Sequence, residues 1–190
     1  MTNFIPGKVV KKFKTKKGKQ AVIRYPKWTD LDALLEYINK LSKEDTYITY
    51  SGEEISKKDE MEYLAGIFKK IEKQDIVMLC CFVNDKLAAN SSVERDKEGR
   101  KRTHHLAEFA IAVDKEFRGE GIGKEIAKTV MKEAEEKIPG LKMLTLYVYD
   151  ENKVAQKLYN KLGFKNSGTT PEAIKYKDKY IGAVSMYKKL

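Results

Sequence analysis

The sequence predicts a mixed α/β fold built on one largely antiparallel sheet, and three stretches of the chain carry this prediction. Short apolar runs separated by turn residues occupy 76–113, a glycine-rich loop then opens a long helical pattern at 122–138, and another strand pattern follows at 143–149. A strand, a helix and a second strand in this order form a crossover that makes the two strands parallel. We therefore expect about six to seven strands, one βαβ crossover and about four helices.

Length and charge limit the class of protein. A chain of 190 residues suits a single domain, which we expect to cover 1–190. Its 38 Lys and Arg residues outnumber 28 Asp and Glu residues, and the resulting net charge of +10 attracts polyanions. Adjacent Cys80 and Cys81 offer no disulfide framework, and no apolar run approaches the ~20 residues that span a bilayer. We expect a cytoplasmic protein that does not contact membranes.

The first part of the chain carries a basic segment, a strand and a helix. Seven lysines lie within 1–19, which we interpret as a basic N-terminal arm or an edge strand. Residues 20–25 have the pattern of a strand that Pro26 ends. Leucine and isoleucine then recur at helical spacing, and we expect Thr29 to cap this helix and Ser42 to lie near its end.

A second helix and a strand meander follow. Ser56 is the expected cap of the helix, since Asp59 stands three residues later. The run 76–83, IVMLCCFV, is too short for a typical buried helix and predicts a central strand covered on both faces. A partner strand at 87–94 and a charged hairpin tip at 95–102 follow it.

The third strand of the meander should open at His104 and His105 and run through 106–113. Adjacent histidines on a strand point to opposite faces, so we expect no metal site there. Glu108, Ala110 and Ala112 share one face of this strand, where the small side chains leave room for a ligand.

Glycines then crowd at alternate positions. Gly119, Gly121 and Gly123 allow close approach of a ligand to the backbone, and the N–H groups of 120–124 should point outward at a helix start. Such a helix start binds phosphate or pyrophosphate. A Rossmann loop requires G-x-G-x-x-G with an acidic residue about 20 positions on, whereas this spacing is G-x-G-x-G and the expected region belongs to the same helix.

The end of the chain predicts a short helix and a hairpin. The helix should cover 152–162 with Val154 on its packed face, and Gly163 stands where a left-handed cap is needed. The segments 164–170 and 180–190 can pair as a closing hairpin.

Two motifs in these stretches resemble the GNAT (GCN5-related N-acetyltransferase) superfamily. Residues 118–123, RGEGIG, are similar to its Arg/Gln-x-x-Gly-x-Gly/Ala acetyl-CoA signature. Residues 152–164, NKVAQKLYNKLGF, are similar to its N-x-x-A-x-x-L-Y-x-x-x-G-F segment, which also stands one strand downstream. The resemblance implies a GNAT-like fold and transfer of an acetyl group from acetyl-CoA to a primary amine, by direct attack in a ternary complex.

The resemblance also implies roles for individual residues. Glu108 matches the strand position of a catalytic glutamate, although an ordinary strand carboxylate or an amine-binding residue stays open. Tyr159 matches the general acid toward the CoA sulfur, with a packed helix aromatic as the alternative. Asn152 would contact the pantetheine or only cap its helix, and Arg118 would touch the pyrophosphate or only brace the loop. The full acetyl-CoA set is Ala112, Val113, Arg118, Gly119, Glu120, Gly121, Ile122, Gly123, Lys124 and Asn152.

The sequence leaves the acceptor open among a protein N-terminus, a lysine and a small-molecule amine. It also leaves the oligomeric state open, a dimer included. Two other functions stay as alternatives: a nucleic-acid-binding protein that uses the lysines of 1–19, and a non-catalytic acetyl-CoA-binding module.

Overall fold

The computed structural model describes residues 4–95 and 101–190. Within them the chain forms eight strands and four helices. The strands are β1 (Val9–Lys14), β2 (Gln20–Arg24), β3 (Ile76–Val83), β4 (Lys86–Arg95), β5 (Leu106–Val113), β6 (Met143–Tyr149), β7 (Lys165–Tyr176) and β8 (Lys179–Lys189). The helices are α1 (Leu31–Lys43), α2 (Lys57–Glu72), α3 (Ile122–Lys137) and α4 (Lys153–Lys161).

The strands form one mixed sheet in the order β1-β2-β3-β4-β5-β6-β8-β7. β5 and β6 are parallel and are joined through α3, while the pairs β1–β2, β2–β3, β3–β4, β6–β8 and β7–β8 are antiparallel. The predicted mixed α/β fold with one crossover is confirmed. The described strands number eight instead of six to seven, because the basic segment adds β1.

Contacts divide the chain into two compact units. One unit combines Met1–Glu94 with Ala110–Pro139, and the other combines Arg95–Phe109 with Gly140–Leu190. A single acetyltransferase domain over 1–190 stays a prediction. None of the described helices is long and apolar enough to cross a membrane.

In the first unit, β3 forms the centre of the core. Seven of its eight residues are buried, and both α2 and α3 pack on it. Burial raises the pKa of both Cys80 and Cys81 to about 12, so these thiols stay protonated at neutral pH. The two cysteines are free and act as packing residues.

The basic segment contributes the strand at the edge of the sheet. β1 pairs with β2 from Lys11 opposite Ile23 to Lys14 opposite Gln20. The turn 15–19 joins the two strands, and we call it the β1–β2 turn. Thr15 closes it, since its N–H donates to the Lys19 carbonyl at 2.9 Å.

Of the two helix starts predicted in the first unit, one is confirmed and the other is wrong. Ser56 caps α2 as predicted, since its Oγ accepts the N–H of Asp59 at 3.2 Å. The prediction for Thr29 was wrong, because Trp28–Asp30 forms a 3₁₀ turn and α1 starts after it. Asp30 is buried there, accepts the N–H of Lys27 at 2.9 Å, and binds Arg24 through both carboxylate oxygens.

In the second unit, β6 pairs with β8 of the β7–β8 hairpin, and α4 precedes that hairpin in the chain. Asn152 caps α4, and Gly163 follows the helix with φ +91°, as predicted. Val154 was assigned to the wrong face, since it is 82% exposed. The buried residues Tyr159 and Leu162, near the end of the helix, set its packed face instead.

The segment before β5 also differs from the prediction. His104 and His105 lie in a turn over 101–105 and not in the strand, which starts at Leu106. The guanidinium of Arg95 donates to the His104 carbonyl, so this turn is held by a side chain that the strand pattern does not reveal. Most of the predicted hairpin tip, 96–100, lies outside the described residues.

Candidate functional site

The glycine loop, residues 118–123, follows β5 after a single 3₁₀ turn. Asp114 caps that turn, since its carboxylate accepts the N–H of Glu116 at 2.8 Å. Gly119 has φ +78° and Gly121 has φ +87°, a left-handed conformation that side chains disfavour. Gly121 is also the residue immediately before α3. Two glycines are therefore required to turn the chain into this helix.

The first turn of α3 presents free hydrogen-bond donors. The N–H groups of Ile122, Gly123 and Lys124 find no acceptor in the described parts of the chain. The first intrahelical bond starts one residue later, from Glu125 N–H to the Gly121 carbonyl at 3.2 Å. These donors lie at the positive end of the helix dipole, where a phosphate is stabilised.

Arg118 braces the glycine loop. Its Nε donates to the Val113 carbonyl at 2.9 Å, and its guanidinium binds both carboxylate oxygens of Glu44. Such a two-pronged pair fixes the planar guanidinium. The geometry favours the bracing role, and a pyrophosphate contact by Arg118 stays a prediction.

Lys40 makes a second connection to the segment before the loop. Its ammonium lies 2.8 Å from Asp114 and 2.7 Å from Glu116. These two carboxylates raise the pKa of Lys40, mainly through hydrogen bonds. Lys40 lies near the end of α1 and Glu44 directly follows it, so α1 supports the loop from its C-terminal end.

Glu120 has a structural side chain. The residue is only 1% exposed, and its Oε1 lies 3.2 Å from the ammonium of Lys17 and 3.1 Å from that of Lys19. Burial favours the neutral acid, but the hydrogen bonds from these lysines outweigh it and hold the pKa of Glu120 below its usual value. The side chain of Glu120 is therefore occupied, and the cofactor contact predicted for this residue concerns its backbone N–H.

The basic segment is largely occupied by pairing within the first unit. Lys11 binds Glu125 of α3 at 2.8 Å, and Lys8 lies 4.0 Å from Glu133 of the same helix. Lys17 and Lys19 bind Glu120. Lysines engaged in this way are not a free arm, so the nucleic-acid alternative is not favoured.

Glu108 lies in the second unit, on the exposed face of β5. Directly opposite it stands Thr145 of β6, and Tyr187 of β8 is the next residue in the same row. Facing residues on neighbouring strands have Cβ atoms about 5 Å apart. No ion pair or hydrogen bond engages the Glu108 carboxylate within 4–95 and 101–190.

Glu108, Thr145 and Tyr187 line part of an open cavity of about 620 Å³, which we call the Glu108 cavity. Its wall consists of one carboxylate, five hydroxyl-bearing side chains and three apolar side chains. The lining residues are Glu108, Met143, Thr145, Leu146, Tyr147, Ser167, Ser185, Met186 and Tyr187. Apart from Glu108, the sequence analysis missed this set, since it depends on the register of β6, β7 and β8. Alternation along β6 was the one signal available.

Tyr159 lies on the other side of β5 from Glu108. Its ring packs against Phe109 with centroids 6.0 Å apart and against Phe164 at the same separation. Phe109 neighbours Glu108 in the strand, so the two side chains point to opposite faces. Burial raises the pKa of Tyr159 to about 12, and its hydroxyl stays protonated at neutral pH.

Three other predicted residues lie at element ends. The amide oxygen of Asn152 accepts the N–H of Ala155 at 3.1 Å, which is a capping role. Ala112 and Val113 are half-buried at the end of β5, and the Val113 carbonyl is already engaged by Arg118. Contacts of Asn152, Ala112 and Val113 with acetyl-CoA stay predictions.

Solved structures share this architecture. An acetyltransferase of the GNAT family from Streptococcus pneumoniae superposes with a TM-score of 0.80 and 25% identity, covering 90% of this chain and 99% of its own. YncA from Salmonella typhimurium, solved with its cofactor acetyl-CoA, gives 0.77 and 15% identity over 90% and 94% of the chains. The ribosomal-protein-alanine N-acetyltransferase from Brucella melitensis gives 0.74 and 21% identity over 88% and 99%.

The family profile described as "Acetyltransferase (GNAT) family" matches residues 35–164, more than half of the chain. The match includes the glycine loop, Glu108 and the whole of 152–164. The chain belongs to the acetyltransferase (GNAT) family, and the resemblance inferred from the two motifs is confirmed.

Proposed function

We propose that the protein is an N-acetyltransferase that moves an acetyl group from acetyl-CoA to a primary amine by direct attack in a ternary complex. One observation carries this proposal: in a chain of the GNAT family, two left-handed glycines open α3 and leave its first N–H groups free. A helix start of this kind is suited to the pyrophosphate of acetyl-CoA.

The glycine loop would hold the nucleotide end of acetyl-CoA. The backbone N–H groups from Glu120 to Lys124 would donate to the pyrophosphate, and Arg118 would keep the loop in shape through Glu44. Ala112 and Val113 would meet the pantetheine with their backbone groups, and Asn152 would contact it beside α4. No metal ion is required for this chemistry.

Glu108 would remove the proton from the acceptor. An alkylammonium has a pKa near ~10, so the amine must be deprotonated before it attacks the thioester. The carboxylate of Glu108 lacks an ionic partner in the described chain and is therefore available to a cation. It would take the ammonium proton directly or through water and release it to solvent.

Tyr159 would supply a proton to the leaving sulfur. When the C–N bond has formed and the C–S bond breaks, the hydroxyl would donate to the CoA thiolate, and the proton lost by the attacking nitrogen balances this donation. Burial keeps Tyr159 protonated until then.

The Glu108 cavity would receive the amine. A carboxylate beside Tyr147 and Tyr187 offers both an ion pair and aromatic faces to a cation. About 620 Å³ admits a small amine or the first residues of a peptide. A protein N-terminus, a lysine side chain and a small-molecule amine all present this cation. Because a ribosomal-protein-alanine N-acetyltransferase has the same fold, N-terminal peptides are the first acceptors to test.

The test combines binding with turnover. Isothermal titration should detect acetyl-CoA binding to the folded protein, and a panel of amines and N-terminal peptides should release free CoA thiol in its presence. Failure to bind acetyl-CoA would refute the proposal. Binding without thiol release or product for any amine class would instead support the non-catalytic acetyl-CoA module. The cytoplasmic location stays a prediction.

A further inference from the structure

The β1–β2 turn is fixed against the glycine loop. The N–H of Lys16 donates to the Glu120 carbonyl at 2.9 Å, and the ammonium groups of Lys17 and Lys19 both bind the Glu120 carboxylate. Lys19 also lies over the ring of Phe117, 5.4 Å from its centroid. Contacts from three residues of one short turn define its position, so this turn is part of the loop's surroundings.

The side-chain stem of Lys16 lies beside Gly121, the residue that precedes α3. A Cβ atom placed on Gly121 would lie 3.5 Å from Cγ of Lys16 and 3.6 Å from its Cε. Lys16 is exposed, and its ammonium forms none of the salt bridges found in the described parts of the chain. Its charge is therefore uncompensated, in contrast to those of Lys17 and Lys19.

The local charge balance is positive. Three lysines of the β1–β2 turn face a single carboxylate, that of Glu120, so two positive charges are not balanced. The free N–H groups of the first turn of α3 add the positive end of the helix dipole. Both contributions attract an anion to the same part of the first unit.

We propose that Lys16 binds a phosphate group of acetyl-CoA, so that the β1–β2 turn extends the phosphate site of the glycine loop. This inference rests on the proposed function. Acetyl-CoA offers two kinds of phosphate, the pyrophosphate bridge and the 3′-phosphate, and both accept charge-assisted hydrogen bonds from an ammonium. A lysine on a flexible stem suits either group, because it acts as a point charge without a fixed fork.

The test compares two substitutions that remove one charge each from the same hairpin. Lys16→Met keeps the unbranched stem beside Gly121 but removes the ammonium. Lys12→Met is the matched control, since Lys12 is exposed and neighbours Lys11, which points toward α3, so Lys12 points to the opposite face of β1. Titration calorimetry with acetyl-CoA should show about tenfold weaker binding for Lys16→Met and a change within about twofold for Lys12→Met.

A second ligand identifies the phosphate. If Lys16 binds the 3′-phosphate, acetyl-3′-dephospho-CoA will bind wild type and Lys16→Met equally. If Lys16 binds the pyrophosphate, Lys16→Met will bind both acetyl-CoA and acetyl-3′-dephospho-CoA more weakly than wild type does, by the same factor. Equal acetyl-CoA affinity of Lys16→Met and Lys12→Met at low salt would overturn the inference.

Inorganic pyrophosphate separates this inference from the proposed function. The anion should raise the thermal unfolding midpoint of wild type and of Lys12→Met more than that of Lys16→Met. A wild-type protein that binds pyrophosphate through Lys16 but does not bind acetyl-CoA would refute the proposed function and leave an anion site at Lys16. Equal pyrophosphate shifts in all three proteins would exclude the pyrophosphate as the group that Lys16 binds, and together with equal acetyl-CoA affinity of Lys16→Met and Lys12→Met they would overturn the Lys16 inference.

Discussion

The glycine loop and the Glu108 cavity differ in how their charges are balanced. Around the loop, most charged side chains are paired within the chain: Arg118 pairs with Glu44, and Glu120 pairs with Lys17 and Lys19, while Lys16 forms no salt bridge in the described residues. In the cavity, hydroxyl and aromatic groups surround Glu108, and no cation of the described chain neutralises it. Ion pairs within the chain hold the glycine loop in place, whereas the carboxylate of the Glu108 cavity has no such partner among the described residues.

This difference fits two kinds of ligand. A preformed cradle loses little free energy to reorganisation when it binds, which suits a cosubstrate that is the same in every turnover. An unpaired carboxylate in an open cavity attracts a cation by charge and does not require close shape complementarity. Such a cavity suits an acceptor that approaches from solvent. The predictions below test this contrast, starting with the largest expected effect.

Glu108→Gln should lower kcat/KM for the amine acceptor by about 100-fold at neutral pH, because the variant cannot accept the ammonium proton. The affinity for acetyl-CoA should not change. The rate of the variant should rise with pH toward the pKa of the amine itself. Thiol-release assays across a pH series measure both effects.

Glu135→Gln, an exposed helix position in α3, is the control for this loss of charge. If Glu108→Gln and Glu135→Gln turn over acceptor at the same rate, Glu108 has no role as base.

Tyr159→Phe should lower kcat by about 30-fold and leave acetyl-CoA affinity intact, because only the proton donor to the sulfur is lost. The ring packing against Phe109 and Phe164 is preserved, so the unfolding midpoint should stay close to that of wild type. Tyr180→Phe, at a residue 65% exposed, is the matched control. Unchanged kcat in Tyr159→Phe would reduce this tyrosine to a packing residue.

Gly121→Ala should weaken acetyl-CoA binding by about tenfold, because a side chain at φ +87° costs about 1–2 kcal/mol and shifts the start of α3. Gly66→Ala is the control: Gly66 lies in α2 with open space around its Cβ position, and alanine favours a helix. Titration with acetyl-CoA compares the two. Equal affinities would show that the left-handed turn is not needed for binding.

Glu120→Gln should change the dependence of stability on pH. The folded-state pKa of Glu120 is lowered, so its contribution to stability is present above the pKa of an unfolded glutamate and is lost as pH falls through the folded-state value. Urea unfolding between about pH 7 and about pH 3 should therefore show a shallower acid loss in the variant than in wild type. Parallel curves would indicate that Lys17 and Lys19 do not stabilise the loop through this carboxylate.

The sequence was sufficient for elements whose pattern is local. β3 and β6 have the bounds that were predicted, because an uninterrupted apolar run or a strict alternation marks both ends of a strand. β5 ends at Val113 as predicted but starts at Leu106 and not at His104. Gly121 and Gly163 were also recognised, since a left-handed residue beside a helix favours glycine wherever it occurs.

The sequence was insufficient where partners are distant. The pairs that hold the glycine loop join Glu120 to Lys17 and Arg118 to Glu44, and surface charges carry no periodicity that reveals a partner about 70 to 100 residues away. The Glu108 cavity depends on strand register, which the alternation of β6 alone does not determine. Val154 was misplaced because helical spacing does not say which face is buried at a helix start.

β1 has a further consequence for the behaviour of the protein in concentrated solution. A strand at the border of a sheet exposes backbone groups that a second molecule can pair with, which is a route to aggregation. β1 is interrupted by a bulge between Val9 and Lys11, and lysines at 11, 12 and 14 cover both of its faces. Two copies that joined through this border would bring their ammonium groups together, so charge repulsion opposes the pairing of β1 with a second β1.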